Sequence, residues 1–194
     1  GAAVKARARP FRLDWAFGKA GEGDPRIRDI LGRLYPRHRL VPASPQADYR
    51  GVDFWLIRKV GDEWARVGGQ VKRRRGPFAG KVFVEWVADL DRGIPGWAVD
   101  PVADLLVIVH KNAVVVFHFP ALSRLAHERA PLWEAQDLGA MTKTRRDGRT
   151  YHAYGFWVPL DDLAPALLHI EPPRANTGET CRWASCRSFS ASRT

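Results

Sequence analysis

The sequence predicts a mixed α/β domain, an α/β or α+β sandwich in which helices cover a central sheet. Three observations support this class. An amphipathic helical segment stands near the N-terminus, a series of segments with strand character follows it, and a second helical segment interrupts the later strands. With 194 residues, of which 45% are hydrophobic, the chain is long enough to bury one substantial core.

The first predicted element is a helix over residues 24–35. Asp24 is suited to be its N-cap, and Pro25 occupies the first helical position, where proline needs no backbone hydrogen bond. Its apolar residues fall on one face, namely Ile27, Ile30, Leu31 and Leu34. A proline-containing link over residues 36–45 is expected to connect this helix to the first strand.

The strands are expected between residues that favour turns. They are predicted at 49–59, 64–73, 81–87, 104–109, 114–119 and 153–158. Gly61 and Asp62 join the first two strands and predict an antiparallel hairpin. The remaining elements are a helix at 120–130, a basic segment at 141–149 and a short helix that begins at Asp161. Leu122, Leu125 and Ala126 are expected to face the core.

The chain is expected to contain one folded domain over residues 13–171. Residues 1–12 form a basic arm, and residues 172–194 form a polar tail without periodicity, for which we expect disorder. No stretch of about 18 apolar residues is present, and the first residues lack an apolar signal core, so we expect a cytoplasmic protein with no membrane partner. The two cysteines, Cys181 and Cys186, are too few for a disulfide framework or a zinc site.

The charge of the chain favours a polyanionic partner. Its formal net charge is +10, from 31 Lys and Arg against 21 Asp and Glu. The basic residues that we expect to contact phosphates form two groups in the sequence, namely Arg73, Arg74, Arg75 and Lys81, and Lys143, Arg145, Arg146 and Arg149. Such contacts would position a duplex without reading its sequence.

Polar residues with complementary chemistry fall on the first two predicted strands. Alternation along the second strand puts Gln70 and Lys72 on one face and Val71 on the other. If the two strands pair through the predicted turn, Asp53 lies near Gln70. The two glycines before Gln70 are expected to leave room for a phosphate or a metal-bound water.

This combination of residues suits the hydrolysis of a phosphodiester. Carboxylate, amide and carbonyl oxygens bind Mg²⁺ or Mn²⁺, which neutralises developing charge and lowers the pKa of the attacking water. A neighbouring lysine orients that water and stabilises the charged transition state. The sequence therefore predicts a metal site formed by Asp53, Gln70 and the carbonyl of Val71, with Lys72 acting on water.

The order of these residues resembles a known signature. Asp53, a hairpin and Gln70-Val71-Lys72 look like the active site of the PD-(D/E)XK nuclease superfamily, which includes restriction endonucleases and Holliday-junction resolvases. The segments at 51–55 (GVDFW) and 155–160 (GFWVPL) are similar to those of compact phage-type members. The resemblance implies a restriction-endonuclease-like mixed central sheet flanked by helices, a Mg²⁺- or Mn²⁺-dependent DNA endonuclease, and an intracellular protein of phage or mobile-element origin.

Two positions depart from the family pattern. Val52 stands where the family has a proline before the aspartate, and Gln70 stands where it has an acid. Because a neutral amide holds Mg²⁺ less tightly than a carboxylate, another acid is expected to supply charge. Glu85, on the third predicted strand, is a candidate catalytic residue and metal ligand. Glu22, beside the first helix, is the other candidate that the resemblance offers.

Two alternatives to a nuclease follow from the same residues. Gln70 is compatible with a catalytically inactive nucleic-acid-binding protein of the same fold, and the basic surface is compatible with a factor that binds or inhibits an acidic protein. One active site cuts one strand, so cleavage of both strands would imply a homodimer, with the loop at 93–100 as a candidate contact.

Aromatic and histidine residues add weaker expectations. The tryptophans are expected in the core. Trp97, in a loop rich in glycine and proline, is the one best placed to be exposed, where it would stack on a base or pack in a dimer, although a core position is favoured for it as well. His110, His118, His127 and His152 have no spacing typical of metal ligands. We therefore expect each of these histidines to be exposed or hydrogen-bonded.

Overall fold

The computed structural model describes residues 23–146 and 149–171, with side chains for all of them except 144–146 and 149. The helices are α1 (Pro25–Leu34), α2 (Pro45–Tyr49) and α3 (Phe119–Ala135), with a 3₁₀ helix at Leu160–Ala166. The strands are β1 (Arg39–Pro42), β2 (Phe54–Val60), β3 (Glu63–Arg73), β4 (Lys81–Asp89), β5 (Ile94–Pro95), β6 (Leu105–Val109), β7 (Val114–His118), β8 (Gly139–Arg146), β9 (Arg149–Pro159) and β10 (Leu167–Glu171). The predicted arm at 1–12, Glu22 and the tail at 172–194 lie outside the described residues. No helix in the described ranges is long and apolar enough to span a membrane.

Helix α1 forms as its sequence predicts. The carboxylate of Asp24 accepts a hydrogen bond of 3.0 Å from the backbone N–H of Arg26, which otherwise lacks a partner at a helix start. Ile27, Ile30 and Leu31 are buried, which confirms the predicted apolar face. The helix ends at Leu34, two residues before Pro36, whose ring disfavours helical geometry in the residue before it.

We expect Asp24→Ala to lower the free energy of unfolding by about 1 kcal/mol at neutral pH, because it removes the helix cap and the 2.8 Å ion pair with Arg26. The Arg26 side chain lowers the pKa of Asp24 below its usual value of 3.8. The carboxylate therefore stabilises the fold above the pKa of the unfolded chain, and this contribution is lost as the pH falls through the lower pKa of the folded state. Urea denaturation at neutral pH and below about pH 4 should show the difference between wild type and variant shrinking in acid. A difference that stays constant would contradict the assigned ion pair.

The strands form two sheets. The larger sheet has six strands in the order β1-β2-β3-β6-β7-β10. It is a mixed sheet, because β3 and β6 pair in parallel and all its other neighbouring strands pair antiparallel. The smaller sheet is antiparallel, in the order β5-β4-β9-β8. Because β3 and β6 are parallel, a long crossover must connect them. This crossover contains β4 and β5, which belong to the smaller sheet. The predicted mixed α/β class, with a large mixed sheet flanked by helices, is confirmed.

The two faces of the large sheet carry separate apolar cores. One core packs α1 against the sheet and includes Ile30, Leu31, Phe54, Leu56 and Val71. The other packs the sheet against the smaller sheet and α3, and includes Leu106, Ile108, Val84, Phe156 and Leu122. Because side chains alternate along a strand, Val71 faces α1, and its neighbours Gln70 and Lys72 face the smaller sheet.

Several elements differ from the sequence-based expectation. Residues 45–49 form α2, between the predicted link and the predicted strand at 49–59, because Ser44 caps this helix through the N–H of Ala47 at 3.3 Å. Strand β2 consequently begins at Phe54 and not at residue 49. Strands β1 and β10 and the basic strand β8 were not predicted as strands, and each of them is a neighbour of only one strand in its sheet.

Candidate active site

The carboxylate of Asp53 is hydrogen-bonded to strand β3 near its C-terminal end. Its Oδ2 accepts a hydrogen bond of 2.6 Å from the N–H of Val71, and the backbone N–H of Asp53 donates to the carbonyl of Gly69 at 2.8 Å. The predicted hairpin of β2 and β3 is confirmed, with Phe54 opposite Gly69. Asp53 therefore contacts the central residue of the Gln70-Val71-Lys72 tripeptide.

The side chain of Gln70 approaches the segment that carries Asp53. Gly51 has a φ angle of 95°, and a Cβ atom on it would lie 3.0 Å from Nε2 of Gln70. Glycine at this position therefore permits both the backbone turn and the close approach of the amide. Gln70 and Asp53 are both partly exposed.

The glycines before Gln70 serve packing. A Cβ on Gly68 would lie 3.0 Å from Cζ3 of Trp55, and a Cβ on Gly69 would overlap the ring of Phe54. The prediction that these glycines leave room for a phosphate or a water is therefore wrong. They let two aromatic rings of β2 cover β3, which fixes the hairpin next to Asp53.

The oxygen donors that could hold a hydrated divalent cation here are those of Asp53, the Val71 carbonyl and the Gln70 amide. The N–H and C=O groups of a strand residue point to the same side, so the carbonyl of Val71 faces the edge that its N–H shares with Asp53. The amide of Gln70 adds a neutral oxygen. Mg²⁺ commonly binds through one or two carboxylates and keeps several waters, which a set with one carboxylate allows. Within residues 23–146 and 149–171 no group of three or more His, Cys, Asp or Glu side chains is arranged to hold a metal.

Glu85 and Glu22 are the acids that were expected to assist Asp53. Glu85 is on β4 of the smaller sheet, where its carboxylate raises the pKa of Arg74 against the stronger lowering by burial. Glu22 lies outside the described residues. Asp104, which the sequence reasoning missed, accepts a hydrogen bond of 2.7 Å from the N–H of Gly68 in β3. Burial raises the pKa of Tyr35, and the charge of Asp104 raises it further, so the Asp104 carboxylate lies near the C-cap residue of α1.

The basic run at the end of β3 divides between the two faces of the sheet. Arg73 lies near Asp24 at the start of α1 and contributes to lowering the pKa of that carboxyl group. Arg74 lies on the opposite face, where its Nη2 donates to the carbonyl of Phe83 at 3.3 Å and its guanidinium stacks 5.1 Å from the centre of the Phe83 ring. Arg74 thus continues the row formed by Gln70 and Lys72.

The second basic group, which begins with Lys143, lies far from Lys81 along the smaller sheet. Lys81 pairs with Pro159, whereas Lys143 pairs with His152, seven residues earlier on β9. This separation corresponds to about 23 Å along the strand. Both lysines are exposed. Arg145, Arg146 and Arg149 belong by their backbone to the β8–β9 hairpin end, and their side chains are outside the described part of the chain.

Trp97 is not the most exposed tryptophan. Its ring is partly buried and lies 5.9 Å from that of Phe119. Trp64 and Trp157 are exposed to 59% and 39%. Trp157 lines a pocket together with Arg74, Arg75 and Lys81, and it was not singled out from the sequence.

His110 was expected to be exposed or hydrogen-bonded, and this prediction is wrong. It is 5% exposed, and neither ring nitrogen has a hydrogen-bond partner within the described part of the protein. Burial is the main cause that lowers its pKa, and the charge of Arg74 lowers it further. The carbonyl of Gly76 lies near the ring and opposes this shift, without the geometry of a hydrogen bond.

We expect Arg74→Gln to raise the pKa of His110 toward the usual value of 6.5, because the variant removes a neighbouring positive charge. An NMR titration of the imidazole C–H signals measures this directly. His38 provides a control in the same spectra, since its pKa is lowered by burial and by Arg58. An unchanged pKa for His110, or an equal change for His38, would contradict the assigned contact.

Comparison of the chain with models of protein families, with curated proteins and with solved structures finds no match.

Proposed function

We propose that this protein is a metal-dependent DNA endonuclease that hydrolyses phosphodiester bonds on a restriction-endonuclease-like fold. The observation that carries the proposal is the 2.6 Å hydrogen bond between Asp53 and the N–H of Val71, which holds a carboxylate against the tripeptide that contains Gln70 and Lys72. The mixed sheet that follows α1 is consistent with the PD-(D/E)XK nuclease superfamily that the sequence resembles.

Each residue of this site has a distinct role in the proposal. Asp53, the carbonyl of Val71 and the amide oxygen of Gln70 would hold a Mg²⁺ or Mn²⁺ ion. When bound, such an ion neutralises charge on the phosphate and lowers the pKa of coordinated water. Lys72 lies on the same face as Gln70, orients the attacking water and stabilises negative charge on the phosphate.

The charge of the chain favours DNA as the substrate. Lys72, near the end of β3, and Arg74, just after it, lie on the same face with their backbones about 7 Å apart. Lys81 and Lys143 add positive charge on the smaller sheet, and the whole chain has a net charge of +10. Cleavage of both strands would require two copies of this site, and therefore a homodimer.

The test is cleavage of supercoiled plasmid DNA by the purified protein. We expect nicked and then linear products in the presence of Mg²⁺ or Mn²⁺, and none when EDTA is present. Nicking that persists in EDTA would identify a contaminating or metal-independent activity and would contradict the proposal. An inactive protein in both metals would exclude the nuclease.

A second candidate function is a nucleic-acid-binding protein without catalysis. It is favoured by the neutral Gln70 and by the single carboxylate, Asp53, among the proposed metal ligands within the described residues. This function predicts steeply salt-dependent binding to DNA without cleavage, because phosphate contacts release counterions. A weak dependence on salt would instead favour an acidic protein partner.

A further inference from the structure

A pocket opens where β3 ends and the chain crosses to the smaller sheet. Its volume is about 380 Å³, which lies within the usual range for small-molecule sites. Gly76, Pro77 and Ala79 form part of its wall. The side chains that give it chemical character are Arg74, Arg75, Lys81, His110 and Trp157.

The pocket is strongly basic. Three of its lining residues carry a permanent positive charge, and none of the described residues that line it is acidic. Glu85 acts electrostatically on Arg74, so part of one charge is compensated from the neighbouring strand. The remaining positive charge favours an anionic ligand.

Arg74 is held in position before any ligand binds. Its guanidinium stacks on Phe83 and donates to the carbonyl of the same residue at 3.3 Å. A guanidinium has five N–H donors in a planar fork, and this contact uses one of them. The others match the oxygens of a phosphate, for which arginine is the preferred partner.

His110 lines the pocket with an imidazole ring whose nitrogens make no hydrogen bond within the described chain. Its ring packs edge-on against Phe78 at 5.2 Å, is almost completely buried, and has no hydrogen-bond partner for either nitrogen within the described chain. Buried polar groups in folded proteins are normally satisfied. Both ring nitrogens are shielded in the unliganded protein, so an anionic oxygen in the pocket would accept the hydrogen bond that this imidazole can donate only after the ring turns toward it.

Trp157 supplies an aromatic surface beside these charges. Its ring lies 5.2 Å from Phe83, which fixes it against the smaller sheet, and 39% of the residue is exposed. The volume of the pocket also exceeds the space that a phosphate alone requires. A ligand with both a phosphate and a flat ring fits this combination better than a simple anion does.

We propose that this pocket binds a nucleotide, with its phosphate between Arg74, Lys81 and His110 and its base stacked on Trp157. The inference goes beyond the proposed nuclease and does not depend on cleavage. The nucleotide can be a free monophosphate or the phosphorylated end of a DNA strand, because both present the same phosphate ester and base.

The test is isothermal titration calorimetry of the full chain in EDTA, where a metal-dependent nuclease cannot act. The probes are thymidine 5′-monophosphate, thymidine and inorganic phosphate. We expect the monophosphate to bind most tightly. Arg74→Gln should weaken its binding by at least about 10-fold, since a charged hydrogen bond contributes about 1.5 to 3 kcal/mol. Trp157→Ala should weaken it by at least about 5-fold through lost stacking.

Arg66→Gln is the matched control, because it makes the same change on an exposed arginine of β3 that does not line the pocket. An equal loss in Arg66→Gln would overturn the site, since it would show general attraction by charge. Thymidine binding as tightly as its monophosphate would overturn the phosphate contacts. Inorganic phosphate binding as tightly as the monophosphate would overturn the stacking on Trp157 and hence the nucleotide.

Two further measurements keep the inference testable if Arg74→Gln does not fold. In the wild type, thymidine 5′-monophosphate should shift the imidazole NMR signals of His110 and leave those of His38 in place. Unmoved His110 signals would overturn the proposal. A 5′-phosphorylated hexathymidylate that binds more tightly than the monophosphate would support a strand end as the ligand, and equal affinities would support the free nucleotide.

Discussion

Asp53→Asn is expected to reduce metal-dependent cleavage of plasmid DNA by at least about 100-fold, because it removes the charged ligand of the proposed metal and with it several kcal/mol of transition-state stabilisation. The fold should persist. The amide oxygen of asparagine can still accept the 2.6 Å hydrogen bond from Val71, although a neutral acceptor makes a weaker bond than a carboxylate does. Initial rates of nicking at saturating Mg²⁺ and Mn²⁺ measure the effect.

Asp104→Asn is the matched control for this experiment. Asp104 also accepts a hydrogen bond from the backbone of β3, at 2.7 Å from the N–H of Gly68, and has no role in the proposed site. In both variants a neutral amide oxygen replaces a carboxylate as the acceptor of a hydrogen bond from the backbone of β3, so both hydrogen bonds are weakened in the same way. We expect Asp104→Asn to change the free energy of unfolding about as much as Asp53→Asn and to change the cleavage rate by less than about threefold.

Two outcomes would contradict the role of Asp53. An equal loss of cleavage in both variants would trace the effect to the backbone of β3. Full activity of Asp53→Asn would remove Asp53 from the metal site. Lys72→Met gives a separate check, because it should lower the rate by about 100-fold without weakening the metal dependence.

The elements that the sequence predicted well are those with strong local signals. Asp24 and Pro25 mark the start of α1, and the side chain of Asp24 makes the expected cap. Gly61 adopts a φ angle of 60° in the turn of the β2–β3 hairpin, a conformation that glycine adopts at little cost. Because the turn fixes the register, the approach of Asp53 to the tripeptide was also predictable.

The division of the strands between two sheets could not be predicted in the same way. Alternation identifies β4 as a strand and shows that Phe83 and Glu85 share a face, but it contains no information about the partner strand. The structure pairs β4 with β9, so Glu85 acts on Arg74 from the smaller sheet. The choice depends on tertiary packing between residues that are about 70 positions apart, which local patterns do not record.

The features of the nucleotide pocket were hidden for a similar reason. His110 follows a buried strand and precedes an exposed lysine, so its burial is not evident from the sequence. Whether its ring nitrogens have partners depends on the chain around Gly76 and Phe78, which folds back over it. The glycines at 68 and 69 were likewise misread, because the rings that cover them belong to the facing strand.

Gly155→Ala is expected to lower the free energy of unfolding by about 3 kcal/mol, at the upper end of typical overpacking effects. Gly155 lies opposite Glu85 in the β4–β9 pair. A Cβ atom at this position would overlap the carbonyl oxygen of Val84 and lie 2.8 Å from Cζ of Phe83 and 2.9 Å from the Cα of Glu85. Since two of these atoms belong to the backbone of β4, the strain cannot be relieved by a side-chain rotation alone.

The same substitution should also affect the nucleotide pocket. Phe83 supports Arg74 by stacking and through its carbonyl, so a shift of β4 should weaken binding of thymidine 5′-monophosphate. Gly32→Ala is the control, because Gly32 lies on the exposed side of α1, where an added Cβ atom would have no described neighbour within 4 Å, and alanine there should stabilise the helix by about 0.5 to 1 kcal/mol. Urea denaturation measures both variants. A Gly155→Ala protein as stable as the wild type would contradict the close approach of β4 and β9 at this position.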